Sequence, residues 1–335
     1  RLTDVRLSWS MHTYTCKENP MRAAVFTEYG PPSVVTVTNY PIPSPAKNEV
    51  RVKVATTAVT AADSRIRAAN FPKGFGMLAR LIFGIRAPRR TVLGAVFAGV
   101  VDAVGAEVTD FAVGDRVCGM TGAKFGAHAD YVCAKATKVA AIPEPVADDQ
   151  AAGILFGGTT ALTYLRDKAA VTPGTTVLVN GGSGAVGTNA IQLARHYGAH
   201  VTAVTSTGNV QLMRDLGAEQ VIDYTTTELK TISNQFDVVF DAVGNITIES
   251  GRRMLTSDGV LLLAVASLGQ TLKAHGKVKA GPASERAADF TTLLELAARG
   301  ELRAVIDSSY PLADIATAHA RVDTGRKVGN VLVTM

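Results

Sequence analysis

The chain is 335 residues long, 47% hydrophobic and 19% charged, with a formal net charge of +5. This is the composition of a packed globular protein long enough for two domains, and it excludes disordered and fibrous classes. The positive balance forms no basic tail and carries no recognisable binding motif, so nucleic acid is not an expected partner.

Residues 1–20 begin with Arg, stay polar and lack the apolar core of a signal peptide. They read as an N-terminal extension, non-native or disordered, outside the fold. From Met21 the pattern is one of short strands and turns. Strands are predicted over 23–27, 34–37, 50–54, 96–104 and 116–118, punctuated by Gly30-Pro31-Pro32, by Pro41, Pro43 and Pro45, and by Gly114-Asp115. Together they make an antiparallel, barrel-like unit over residues 21–146. Within it no acidic residue stands between Asp63 and Asp102, while Arg65, Arg67, Lys73, Arg80, Arg86, Arg89 and Arg90 accumulate. That stretch is either a solvated basic loop or a flap attracting an anionic cofactor or substrate. Its segment 71–90, with glycines at 74, 76 and 84, is placed as the cap of a substrate pocket.

After Pro143 and Pro145 the rhythm changes. A helix is predicted over 148–165 with Asp148 as its N-cap, then a strand over 175–180 and a glycine-rich turn running into a helix through Tyr197. Strands over 201–205, 220–223, 236–241 and 259–266 follow, with a helix over 210–216. This alternation makes a doubly wound parallel sheet, assigned to residues 147–270. Residues 271–335, with a helix over 290–298 and a strand over 328–333, return to the first unit. The longest apolar stretches, such as 259–269, are too short to span a bilayer. Cys16, Cys118 and Cys133 show no C-x-x-C spacing and form no disulfide framework. A soluble protein of a reducing, cytoplasmic compartment with no membrane partner is the expectation.

The strongest local signal is the run from Val177 to Gly187, in which Gly182, Gly184 and Gly187 match G-x-G-x-x-G between a predicted strand and a predicted helix. The first glycine is assigned the tight turn, the second the approach of backbone to a pyrophosphate, and the third close helix–strand packing. Ser183, Ala185 and Val186 belong to the same loop, and the free N–H groups of the helix start favour a diphosphate. An NAD site places an acid about 20 residues on, at the end of the next strand. Here that window holds Thr205, Ser206, Thr207 and Asn209, with no carboxylate before Asp215. Without that carboxylate a 2′-phosphate is not repelled, and the hydroxyls can donate to it, so NADPH is the expected cofactor.

Several segments in order resemble the zinc-free quinone oxidoreductase (zeta-crystallin-like) branch of the medium-chain dehydrogenase/reductase family. They are the runs at 93–101, 113–117, 126–132, 157–161, 180–187, 241–244 and 325–330, so the likeness extends from Met21 to the C-terminus. The resemblance implies a GroES-like antiparallel β-barrel catalytic domain joined to a Rossmann sheet. Where zinc-dependent members carry their first Cys this chain has Thr60, and where they carry His-Glu after a glycine it has Ala95-Val96 after Gly94. No metal is expected, and His128 without neighbouring ligands reads as packed or solvated. Without a Lewis acid, the acceptor expected is already activated: a quinone or an α,β-unsaturated carbonyl compound.

The Thr60 hydroxyl and backbone N–H groups near Ala266 are candidates to stabilise the developing oxyanion. Asp63 reads equally as structural or catalytic, and Arg65 as its partner or as a contact for an anionic substrate group. The family's Asn and Tyr near the substrate have no counterpart here, which leaves water as the source of the final proton. The resemblance also places Thr160 by the nicotinamide ribose, Tyr224 by the adenine, Val243 and Gly244 beyond the fourth Rossmann strand, and Asn330 at the nicotinamide end. Tyr224 has a plain packing reading as well. Cys118 and Cys133 lie in strands without an electropositive setting and read as inert. A homodimer through the strand at 259–266 is expected, and the competing reading is a non-catalytic NADPH-binding adaptor or redox sensor.

Overall fold

In a computed structural model the chain is described over residues 20–232 and 235–335. The extension expected over residues 1–20 lies, but for Pro20, outside the described residues. The first unit opens with an antiparallel pair, β1 (Met21–Val25) and β2 (Thr36–Tyr40). Next come β3 (Glu49–Val59), α1 (Ala61–Arg67), α2 (Gly76–Phe83), β4 (Val96–Val104), β5 (Arg116–Met120), β6 (Tyr131–Lys135) and β7 (Val139–Ala141). β3 organises this unit because Val50, Val52 and Val54 alternate onto one buried face. One edge of β3 pairs with β4, and its first half pairs on the other edge with β6. β6 carries Cys133, which the sequence reading places in a strand without giving it bounds, whereas β7 is too short and alanine-rich to give a strand signal.

The second unit begins with α3 (Asp148–Leu162), whose N-cap is Ala147 and not Asp148. Asp148 is the first helical residue and takes an ion pair from Arg116 at 2.6 Å, which ties the helix start to β5. The helix then widens, with Ala169 N–H donating to Tyr164 C=O, five residues back. Beyond it run β8 (Thr176–Asn180), α4 (Ala185–His196), β9 (His200–Thr205), α5 (Val210–Asp215), β10 (Gln220–Asp223) and β11 (Phe236–Asp241). They are followed by α6 (Ile248–Arg253), β12 (Leu255–Leu263), α7 (Leu268–Leu272) and β13 (Val278–Lys279). The strands form one parallel sheet in the order β10-β9-β8-β11-β12-β13, a doubly wound Rossmann arrangement. Two features differ from the sequence reading. The sheet reaches Lys279, past residue 270, and β12 is not its edge, because β13 pairs with Leu261 and Leu262.

The chain returns through α8 (Ala287–Ala298), β14 (Ile306–Pro311), α9 (Ile315–Asp323) and β15 (Asn330–Thr334). β15 pairs with the second half of β3, so the C-terminus completes the GroES-like sheet in the order β14-β15-β3-β4-β5-β7. One apolar cluster joins α3, α4, β8, β9 and α8, so a single core underlies the Rossmann sheet and the returning helix. Cys118 and Cys133 are buried among strands, and burial pushes the Cys133 thiol up to about 11 and the Cys118 thiol higher still. Neither is a thiolate near neutral pH.

Beneath α1 and α9 lies a fully buried polar group: Arg67, His128 and His319, with the two imidazoles edge to face at 5.6 Å. His128 Nε2 meets the Ala58 carbonyl at 3.1 Å, but neither nitrogen of His319 has a partner among the described residues. Burial, with His128 and Arg67 adding to it, holds the His319 imidazole down to about 2. An unfolded histidine titrates near 6.5, so protonation favours the unfolded chain: the contribution is intact above that pH and is lost as pH falls below it. About 2 kcal/mol should be lost by pH 5. Urea unfolding at pH 7 and pH 5 should show this loss, and His319→Asn should reduce the difference between the two pH values.

Candidate active site

A cavity of about 360 Å³ lies between the two units, at the carboxyl end of the parallel strands. Its Rossmann wall is the glycine loop: Gly181 and Gly184–Gly187 line it. The tight turn rests on Gly181, which carries the positive φ of +83°, and not on Gly182 as the motif suggests. Gly182 is instead held against Met213, whose sulfur a Cβ would meet at 2.7 Å. Gly187 packs on the loop backbone, where a Cβ would stand 2.1 Å from the Gly181 oxygen. Gly184 is different. A Cβ there would meet only the Gly181 oxygen at 3.5 Å, so its bareness leaves room for something outside the chain. Gly184 also caps α4 with no side-chain bond, which leaves the first-turn N–H groups turned to the cavity. An open cradle above unpaired N–H donors fits a dinucleotide pyrophosphate.

The opposite wall is the start of α1. Thr60 and Asp63 form a capping box, the Thr60 hydroxyl accepting from Asp63 N–H and the Asp63 carboxylate accepting from Thr60 N–H at 2.8 Å. The same carboxylate takes the Thr60 hydroxyl at 2.6 Å and Gly94 N–H at 2.9 Å. The Thr60 proton is therefore committed, and Thr60 lines the cavity without a free donor for an oxyanion. Asp63 is fully buried and faces away from the cavity, which makes it a positioning residue. Arg65, two residues on, does face it. Its guanidinium has no partner among the described residues, and burial lowers its pKa. Arg65 is thus not the partner of Asp63.

The cavity also brings in Thr160, whose hydroxyl donates to Phe156 C=O at 2.8 Å, and Asn330, whose side-chain amide donates to Val305 C=O at 3.0 Å. Gly329 N–H reaches across to Ser183 C=O at 2.8 Å, locking the returning chain onto the glycine loop. Ala264 and Val265 line the wall, while Ala266 packs beneath the sheet. The segment 71–90, expected as a cap, contributes no residue to this cavity.

The remaining cofactor candidates lie along the strand ends outside it. Thr205 is buried with its hydroxyl unpaired at the end of β9, and Asn209 donates to Ser206 at 3.2 Å. Val243 and Gly244 N–H both donate to the buried Asp241, which, with Asn180, fixes the loop after β11. Tyr224 stands at the surface, 56% exposed. Beside it is a carboxylate that counting along β9 misses: Asp223 ends β10, pairs in register with Thr205, and takes the Thr207 hydroxyl at 2.6 Å. The Thr207 and Thr225 hydroxyls hold this carboxyl below its usual range.

Lys327 was also missed, although it lies in the 325–330 run that pointed to Asn330. Its ammonium enters the cavity beside Asn330, bonds Gly329 C=O at 2.5 Å, and is pushed down to about 8 by burial. The one carboxylate on the cavity wall among the described residues, Glu285, is paired to Lys138 at 2.6 Å, so Arg65 and Lys327 leave the interior electropositive. Among the described residues no three of His, Cys, Asp and Glu come together as a metal site. Thr60, Ala95 and Val96 offer no ligand set for catalytic zinc.

Two family models match the chain: an alcohol dehydrogenase GroES-like domain over residues 46–144 and a zinc-binding dehydrogenase domain over 216–333. The chain is 30% identical to an NADPH-dependent alkenal/one oxidoreductase, chloroplastic, of Arabidopsis thaliana, covering 93% of this chain and 79% of the relative. It is 28% identical to a quinone oxidoreductase of Pseudomonas aeruginosa, over 92% of this chain and 98% of that one. The solved quinone oxidoreductase from Coxiella burnetii superposes with a TM-score of 0.85 at 30% identity, covering 94% of this chain and 99% of its own.

Proposed function

We infer the activity from one premise: the chain belongs to the medium-chain dehydrogenase/reductase family. It is an oxidoreductase of the quinone and enone reductase kind. We propose that it is NADPH-dependent and zinc-independent and reduces a quinone or an α,β-unsaturated carbonyl compound. The observation that carries this reading is the unpaired, half-buried Arg65 guanidinium in a cavity built against the open cradle of Gly184. When bound, the dihydronicotinamide supplies the hydride. The chain's own groups do the rest. The α4 N–H groups and Lys327 would hold the pyrophosphate, Thr160 and Asn330 would orient the nicotinamide end, and Arg65 would face the acceptor. Arg65 donates to the acceptor oxygen as negative charge builds there, an interaction that gains strength away from water.

NADPH is favoured over NADH by the Ser206–Asn209 pair at the end of β9, where the Ser206 hydroxyl accepts from Asn209 and keeps its own proton to donate. Asp223 works against a 2′-phosphate, so the preference is modest. The relative named as NADPH-dependent supports the same choice. Turnover of NADPH with a panel of quinones and enones, before and after a chelator, tests the proposal. Activity should survive chelation, and Arg65→Met should lower kcat roughly ten- to a hundredfold with the Kd for NADPH unchanged. Tight NADPH binding without oxidation by any acceptor would move the protein to the adaptor or sensor reading.

Lys327 gives the reading a pH signature. With its pKa in the free protein lowered to about 8, the side chain is an ammonium below that pH and loses its charge above it. A bound pyrophosphate raises that pKa, so affinity falls as pH climbs from the free value towards the bound one, by up to about tenfold per unit. Titrating NADPH by fluorescence on both sides of pH 8 should show the fall, and Lys327→Met should flatten it.

A further inference from the structure

The segment after α1 is built like a tip and not like a cap. Phe71 stacks on Phe83 at 5.9 Å and Phe83 meets Phe125 at 6.0 Å, which anchors α2 to the first unit. Leu268 N–H donates to Lys73 C=O at 2.9 Å, which fixes the segment's other end. The inner stripe of α2, Ala79 and Phe83, is used in that packing. Its outer stripe is apolar too. Met77, Leu78, Leu81 and Ile82 recur at intervals that share one face, Ile85 follows just past the helix end, and each is between 49% and 82% exposed. A helix that is apolar on both faces is normally buried on both.

In the sequence this face is flanked by Lys73, Arg80, Arg86, Arg89 and Arg90, all exposed. Arg80 stacks on Tyr29 at 5.4 Å and donates to Ile85 C=O at 2.8 Å, so it is held at the rim of the patch. No acidic residue lies between Asp63 and Asp102 in the sequence to offset them. The other two cations of the run are occupied elsewhere: Arg67 is buried on Asp323, and Arg65 faces the cavity.

We propose that this tip, α2 with Ile85 and its five flanking cations, seats on an anionic lipid bilayer and holds the protein at the membrane surface. An apolar stripe flanked by arginine and lysine suits the boundary between headgroups and acyl chains, where the stripe is buried and the cations meet lipid phosphates. A surface anchor needs no spanning segment, and no helix among the described residues is long and apolar enough to be one. A second copy of the chain fits less well. A two-fold contact through this patch sets the same cations against each other with no carboxylate of the segment to pair them. The inference stands whichever acceptor the enzyme reduces.

The full chain should be sedimented with vesicles of phosphatidylcholine alone and of phosphatidylcholine with phosphatidylglycerol, at low and high salt. Binding is expected to the phosphatidylglycerol vesicles, weakened by salt. Leu81→Asn with Ile82→Asn should lower it roughly tenfold or more. Arg86→Gln with Arg90→Gln should remove most of the preference for the anionic lipid. The thermal midpoint of each variant shows that it is folded, and the arginine pair tests the proposal even where the apolar pair is unstable. Failure to bind either vesicle, undiminished binding by a folded apolar variant, or an unchanged lipid preference in the arginine variant would overturn it. So would light scattering in which the parent is a dimer and the apolar variant a monomer, since the face then belongs to a second copy.

Discussion

Gly184→Ala should unfold at the same urea concentration as the parent yet bind NADPH at least about a hundredfold more weakly, whereas Gly187→Ala should lose both properties. The two glycines share a motif, but their surroundings differ. At Gly184 a methyl group meets nothing among the described residues closer than 3.5 Å, and its φ of −76° is open to any residue. The added carbon instead stands in the cradle above the first turn of α4, where the proposed pyrophosphate would have to approach backbone N–H groups directly. A loss of two or three hydrogen bonds to a charged group is about 3 kcal/mol, hence the hundredfold. At Gly187 the methyl would lie 2.1 Å from the Gly181 oxygen and 2.8 Å from the Gly182 Cα, both backbone atoms with no rotamer to escape into. The loop must move away from α4, at an expected cost of about 2–4 kcal/mol in urea unfolding besides the lost cofactor affinity. Equal NADPH affinity in Gly184→Ala would place the cofactor elsewhere and overturn the reading of the cavity.

The same loop shows how far the sequence carries. The strand–glycine–helix order around Val177–Gly187 was legible, because alternation and glycine spacing are local properties. Which glycine does what was not, because the roles depend on contacts with Met213 on α5 and with Val243 after β11. Asp223 was overlooked for a related reason. It reaches the end of β9 sideways, through the parallel pairing of β10, and a search along one strand cannot find a neighbour supplied by the next. Arg65 and Asp63 lie two residues apart on a short helix, so the fold decides which faces the cavity. One signal was available and unused: Thr60-Ala-Ala-Asp63 has the spacing of a capping box, which already assigns the carboxylate to backbone N–H groups.

That assignment leads to the second large effect. Asp63→Ala should cost about 3–5 kcal/mol in urea unfolding, because three buried donors lose their acceptor together: Thr60 N–H, the Thr60 hydroxyl and Gly94 N–H. Gly94 cannot readjust, since its φ is +86° and His128 packs against it so closely that a Cβ would stand 2.4 Å from the imidazole. Asp63→Asn should cost less, about 1–3 kcal/mol, as one amide oxygen can still accept part of the set. In that folded variant the start of α1 shifts and takes Arg65 with it, so kcat should fall while the Kd for NADPH, set on the other wall, stays put. A catalytic acid predicts the reverse pattern: unchanged stability, turnover abolished and the pH profile of kcat lost. The two readings separate on the urea midpoint of Asp63→Asn alone. Geometry favours the positioning role, because both carboxylate oxygens are spent on the chain and neither faces the space where an acceptor would lie.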